Sequence, residues 1–406
     1  MDAAVPDGDK GFRAGTRRAC PPARTWARIA PLLPVFGITR LANLTGLDRV
    51  GIPVFQACRP NARSLSVYQG KGADPMAARV SAAMEAIETH CAERVVAPVL
   101  HARFEDIRHD RAVVEIDTLP HAEPQGLDPW QPILWIEGGD LIGGGRRWLP
   151  FELVHADYAL PEPPNSGVLA ATTNGLASGN TRDEALLHAL LEVIERDAET
   201  LWKLGPDGWG SARAVDLATV DCPHCRALLD RFAAAGLRVA AWDIASDLGV
   251  PAFTVLVDDP AGETGAPEVG AGAHLAPEVA LSRALTEAAQ ARLTFIAGAR
   301  EDIEAGEYAP DVLADRRAEA AAIIDALTPA RAFRATPSIE TETLAGDIET
   351  VLGRLAAAGI EQAMAVDLTM PSFAIPVMRV VVPGLEGALE GPEADYVPGP
   401  RARALL

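Results

Sequence analysis

Positive charge is what this 406-residue chain has least of, with 36 Lys and Arg against 56 Asp and Glu for a net charge of −20. Broad nucleic-acid binding needs a basic footprint, so that class is excluded. Cysteine is scarce too: five, an odd and scattered set, give no disulfide framework. No apolar run is long enough for a membrane span, because Pro31-Leu32-Leu33-Pro34 and Arg40 interrupt the best N-terminal candidate. That candidate also lacks the uninterrupted apolar core of a signal peptide. A cytoplasmic chain with no membrane partner is expected. The Walker pattern GxxxxGK[ST] is missing as well, since Gly72 follows Gly70-Lys71 where Ser or Thr is required. His101, His109, His121 and His155 are irregularly spaced and match no metal template.

What is present is 49% hydrophobic residues, enough for a large globular core. The chain is organised around Ala171 to Lys203. Asn174-Gly175 and Gly179-Asn180-Thr181 form a glycine-bearing loop whose Thr181 is a good N-cap. A helical pattern follows, with Leu186, Leu190, Val193 and Ile194 as its apolar stripe. His188, Glu192, Glu195, Arg196 and Glu199 lie three and four apart on another face. A solvated acidic face is the ordinary reading of such a row. Repetition argues against it. Ala78, Ser81, Glu85 and Glu88 after Gly72 have the spacing of Ala185, His188, Glu192 and Glu195 after Gly179. Ala280, Arg283, Glu287 and Gln290, preceded by Gly270 and Gly272, keep it a third time. An internal repeat that holds polar residues in register points to a shared site.

Residues 1–35 are Arg- and Pro-rich and are expected as a flexible basic N-terminal tail; 36–385 form the catalytic domain and 386–406 a C-terminal tail. Strands entered through proline are expected at Gly51-Ile52-Pro53-Val54, Gly249-Val250-Pro251-Ala252 and Ala374-Ile375-Pro376-Val377. The last two follow a helix, a Gly stop (Gly236, Gly359) and a strand. The fold class is α/β, assembled from repeated helix-strand-strand units rather than strict βαβ crossovers. Cys222-Pro223-His224-Cys225 at a helix start has two functional readings, a low-pKa redox pair or half a zinc site, beside the plain one of a helix terminus.

Two Glu-x-x-Glu helices supply hard oxygen ligands that select magnesium, calcium or manganese. A di-iron or di-manganese site is the rival, but it pairs Glu with Glu-x-x-His, and positions 88 and 195 are both Glu. With Lys71, Arg196 and Arg283 added, the residue set suits a polyphosphate clamped by metal and cations.

Lys71 in its Gly-Lys-Gly loop, Glu85-x-x-Glu88, the block Asn174 to Ala185, Glu192-Val-Ile-Glu195-Arg196-Asp197 and Arg283-Ala-Leu-Thr-Glu287-Ala-x-Gln290 together resemble the YcaO family. The resemblance spans residues 37 to 400. It implies a YcaO-type fold around an ATP site without a P-loop, with ATP and Mg2+ as cofactors. It also implies O-phosphorylation of a peptide backbone amide after a nucleophile adds to its carbon. Carried over by position, Glu85, Glu88, Glu192 and Glu195 hold magnesium. Ser66, Lys71, Asn180, Glu184, Arg196, Arg283, Glu287 and Gln290 contact ATP. Two departures stand out: Ala177 where a serine is often found, and Pro398-Gly399-Pro400 in place of a Pro-x-Pro-x-Pro ending. The stretch from Gly37 to Gly72 resembles the branch paired with TfuA proteins, which implies thioamide formation with sulfide on a precursor peptide or protein. A homodimer with a TfuA-like partner is expected. An azoline-forming cyclodehydratase using Cys, Ser or Thr of the substrate is the alternative, and a non-catalytic scaffold the third reading.

Overall fold

The computed structural model describes residues 9–262, 265–387 and 396–406. The chain starts with α1 (Pro22–Ile29) and three strands, β1 (Arg40–Asn43), β2 (Val54–Cys58) and β3 (Val67–Lys71), ahead of α2 (Pro75–Ala92). Next come β4 (Val99–Arg103), α3 (Phe104–Ile107), β5 (Pro132–Asp140), β6 (Arg146–Pro150) and β7 (Leu176–Ser178), leading into α4 (Arg182–Leu204). A further run holds β8 (Val215–Asp216), α5 (Pro223–Ala234), β9 (Arg238–Asp243), β10 (Ala252–Asp258), β11 (Glu268–Ala273) and α6 (Pro277–Ala297). The last elements are α7 (Pro310–Ala326), β12 (Arg331–Ala332), α8 (Leu344–Ala357), β13 (Met364–Asp367), β14 (Val377–Val381) and α9 (Pro400–Arg403).

This is the expected α/β architecture. β1-β2-β3 and β11-β10-β9 are antiparallel sheets, and the larger sheet runs β4-β5-β13-β14-β7 with β6 beside β5. The helix–Gly–strand–Pro–strand unit recurs at α5, Gly236, β9, β10 and at α8, Gly359, β13, β14, and both glycines have positive φ. β2, β10 and β14 start just after Pro53, Pro251 and Pro376, where a missing N–H costs the sheet nothing.

The repeated glycines place the helices. A Cβ at Gly70 would overlap the backbone of Ala78 and Ala82 on α2; one at Gly270 would strike Ala284 and Ala288 on α6; one at Gly179 would strike Ala185 on α4. Glycine on the strand side facing alanine on the helix lets the backbones approach closely. The polar face of each helix is thereby drawn toward a common centre. α4 starts where its N-cap signal predicts, with Thr181 Oγ1 accepting from Glu184 N at 3.2 Å.

The N-terminal segment differs from the loose tail expected of it. In its described part, 9–35, Lys10 pairs with Asp347 at 2.6 Å with neither side chain exposed, and Arg17 bonds Glu340 and Glu278, each at 2.8 Å. Lys10 and Arg17 thus meet acidic partners more than 260 positions away, which local composition cannot reveal. The described C-terminal residues are docked too: buried Glu386 accepts from Gly399 N at 2.8 Å and Arg401 N at 2.9 Å, and Arg401 pairs with Asp197 at 2.9 Å. The redox reading of the cysteine pair is not supported, because burial pushes the Cys225 thiol up and it donates to the Glu278 carbonyl at 3.1 Å.

Candidate active site

Four carboxylates of the repeated helices, Glu88, Glu192, Glu195 and Glu287, are each gripped by a backbone amide of a neighbouring strand or its lead-in loop. Glu88 on α2 accepts from Ser178 N at 2.6 Å. On α4, Glu192 accepts from Gly175 N at 3.3 Å and Glu195 from Ala273 N at 2.7 Å. On α6, Glu287 accepts from Ala271 N at 3.3 Å and from the Lys71 ammonium at 2.5 Å. Arg283 approaches Glu195 at 3.8 Å and lies 3.5 Å from His188 Nε2. The structure therefore brings together residues that are more than two hundred positions apart.

Electrostatics tie them into one site. Burial pushes Glu85 up to about 7, with Glu192 and Glu287 adding to the rise and Lys71 opposing it. Burial also pushes Glu192 to about 7, against the pull of Arg196, and raises Glu88 with help from Glu192 and Glu85. Glu195 is raised by burial and by Glu287, while Glu287 is held down at about 2 by Lys71 and Arg196 despite its own burial. Burial beside Arg283 and Arg18 keeps His188 far below its usual value, hence a neutral imidazole. The site thus combines an acidic face of Glu85, Glu88 and Glu192, which stay raised despite Lys71 and Arg196, with the cations Lys71, Arg196 and Arg283 beside Glu195 and Glu287.

Among the described residues, no group of three or more His, Cys, Asp or Glu is drawn tightly enough to cage a metal alone. The donor set still fits magnesium, which takes one or two carboxylates and completes its shell with water and phosphate oxygens. All the donors on the acidic face are oxygens, and the raised carboxyls Glu85, Glu88 and Glu192 are the groups a cation would discharge.

Not every expected contact residue joins this cluster. Asn180 and Glu184 bond each other at 3.1 Å and are engaged by the N-terminal segment, through Thr25 Oγ1 on Asn180 at 2.7 Å and Ala19 N on Glu184 at 2.8 Å. Ser66 donates through its backbone N–H to Glu301 at 2.5 Å, and Gln290 reaches the Gln69 carbonyl at 3.4 Å. Sequence reasoning passed over Arg18, which pairs with Glu184 at 3.2 Å and lies beside His188, because it sits in a segment read as a tail. It also left His188 without a role, although its place in the repeat was a usable signal.

Comparison with known proteins identifies the family. Residues 69–386 match the family model described as "YcaO cyclodehydratase, ATP-ad Mg2+-binding". The chain is 38% identical over 92% of its length, and 90% of the relative's, to an uncharacterized protein in the tfuA 3′ region of Rhizobium leguminosarum bv. trifolii. It is 37% identical, covering 93% and 97%, to an uncharacterized protein of Methanothermobacter thermautotrophicus. Among solved structures, YcaO from Methanopyrus kandleri bound with AMPPCP and Mg2+ superposes with a TM-score of 0.75 at 25% identity, covering 97% of this chain and 98% of that one. A heterocyclase in complex with substrate and cofactor also gives 0.75, at 24% identity; the match covers 91% of this chain but only 53% of the heterocyclase, and it speaks for the fold. With the family model matched over most of its length and close relatives spanning nearly all of it, the chain belongs to the YcaO family.

Proposed function

We propose that this protein uses ATP and Mg2+ to activate the backbone amide of a peptide or protein, and that the product is a thioamide formed with sulfide and a TfuA-type partner. The observation that carries the reading is the meeting of α2, α4 and α6 at one acidic-and-cationic site. Magnesium-bound ATP would supply the phosphoryl group: once sulfide has added to the amide carbon, phosphorylation of the former carbonyl oxygen would let that oxygen leave as phosphate.

The protein's own residues position and neutralise. Glu85, Glu88, Glu192 and Glu195 are assigned to the metal. Lys71, Arg196 and Arg283 are assigned to the phosphate oxygens, where charge develops in phosphoryl transfer. Glu287 orients the Lys71 ammonium by their 2.5 Å bond. Asn180, Glu184, Ser66 and Gln290 are assigned to the nucleotide, with Asn180 and Glu184 reached through the docked N-terminal segment. The preference for a thioamide is supported by the name of the Rhizobium relative, which places it beside tfuA.

The test is mass spectrometry on capped peptides containing Gly, Cys, Ser and Thr, with magnesium-ATP, the TfuA-type partner, and sulfide present or omitted. Replacement of one oxygen by sulfur that depends on sulfide is expected. Loss of one water at Cys, Ser or Thr without sulfide would instead assign cyclodehydration, and no ATP turnover in any mixture would sink the reading.

A further inference from the structure

Asn174 and Val193, the chain neighbours of Gly175 and Glu192, line a cavity of about 210 Å³. Its lining is largely apolar, with Leu119, Val193, Val382 and Leu385 among the residues, but Arg379 opens into it. Arg379 sits on β14 opposite Leu176 and is only 2% exposed. Its Nη2 donates to the Thr172 carbonyl at 2.7 Å, while its Nε and Nη1 have no hydrogen-bond partner among the described residues. Asn174, on the same cavity wall, has its Oδ1 sealed from solvent and equally unpartnered. His121 Nδ1, on the same lining, is unpartnered as well, so three side chains turn unsatisfied polar atoms to one cavity, an arrangement that suits a polar ligand.

The acid at the rim does not supply what Arg379 lacks. Glu386 lines the cavity, but its oxygens are taken by the Tyr396 hydroxyl and the backbone N–H groups of Gly399, Arg401 and Ala402. The needed ligand has an acceptor for a guanidinium fork and a donor for Asn174 Oδ1. A backbone amide carries both. A free carboxylate satisfies the fork but leaves Asn174 Oδ1 facing an anion, and the apolar lining disfavours sugar or phosphate.

The cavity also stands where such a group is useful. Asn174 faces it while the next residue, Gly175, grips Glu192 through its N–H on the site side. Glu88 and Glu192 both lie within electrostatic reach of Arg379. Resting on the proposed amide-activating function, we infer that this cavity is the subsite for the substrate's peptide backbone, with Arg379 taking an amide carbonyl and Asn174 the amide N–H.

The test uses the full chain with magnesium and a non-hydrolysable ATP analogue, titrated with N-acetyl-Ala-Gly-Ala-amide and separately with acetate, binding being read by saturation-transfer NMR and calorimetry. Arg379→Met removes the fork at similar volume, and Ala170→Phe narrows the cavity from a half-buried wall position while leaving both polar side chains in the sequence. Both variants are expected to weaken peptide binding about tenfold or more, Arg379→Met by loss of a charge-assisted bond and Ala170→Phe by loss of space, with analogue affinity unchanged. The inference is overturned if the wild type binds the analogue but not the peptide, if both variants bind peptide as the wild type does, or if acetate displaces the peptide. Loss of analogue binding by the wild type itself would instead strike at the nucleotide reading.

Discussion

Replacing Glu192 by Gln removes a negative charge while keeping the side chain's shape, and it separates a residue kept for function from one kept for stability. Burial lifts this carboxyl from 4.5 to about 7. A displacement of that size corresponds to at most about 3 kcal/mol held against the charged form. Because the side chain is half-buried, solvent screening reduces this to about 1–2 kcal/mol. The folded-state value lies above the unfolded one, so this group's contribution is fully favourable below about pH 4.5 and is lost as pH rises through about 7. Without magnesium, Glu192→Gln is therefore expected to melt above the wild type at about pH 8, with the two coinciding near pH 4.5. At roughly 1 °C per kcal/mol for a chain of this length, the gain is about 1–2 °C by calorimetry. The same variant should gain less than the wild type when magnesium and a nucleotide analogue are added. A Glu192→Gln protein that melts lower at pH 8 would refute the reasoning, because it would make the carboxylate a net stabiliser of the ligand-free fold.

Gly270→Ala forces β11 and α6 apart and is expected to cost about 1–3 kcal/mol or more by urea denaturation. Gly353→Ala, in mid-helix α8 with open space around it, should instead stabilise by up to about 1 kcal/mol in the same assay. Lys10→Met strands the buried Asp347 carboxylate and should cost about 3–5 kcal/mol, with most of it recovered in Lys10→Met/Asp347→Asn; a cost under about 1 kcal/mol would mean that the N-terminal segment is not anchored there.

Much of this protein is legible in its sequence because its signals are local. Thr181 announces α4, prolines announce the starts of β2, β10 and β14, and the repeated three-and-four spacing that carries Glu85/Glu88, Glu192/Glu195 and Glu287 marks the helix faces that converge. The glycines were legible as repeat markers, but their physical role, letting strand and helix backbones touch, needs the tertiary structure. Other features rest on long-range pairs that leave no local trace. The N-terminal segment is fixed by Glu340 and Asp347, far along the chain, and Ser66 faces Glu301 instead of the carboxylate cluster. Arg379 reads as one more polar residue in the strand Val377–Val381; only burial and lost partners single it out.

The central claim is that a magnesium-nucleotide occupies the meeting point of α2, α4 and α6. Calorimetric titration of ATP, with and without magnesium, into the wild type and Glu195→Gln tests it directly. Glu195 is 1% exposed and bonded to Ala273 N, so the substitution removes charge at the centre with little change in shape. Magnesium-dependent binding by the wild type is expected, weakening about tenfold or more in the variant, the effect of one charged contact. Equal affinity in both proteins would contradict it.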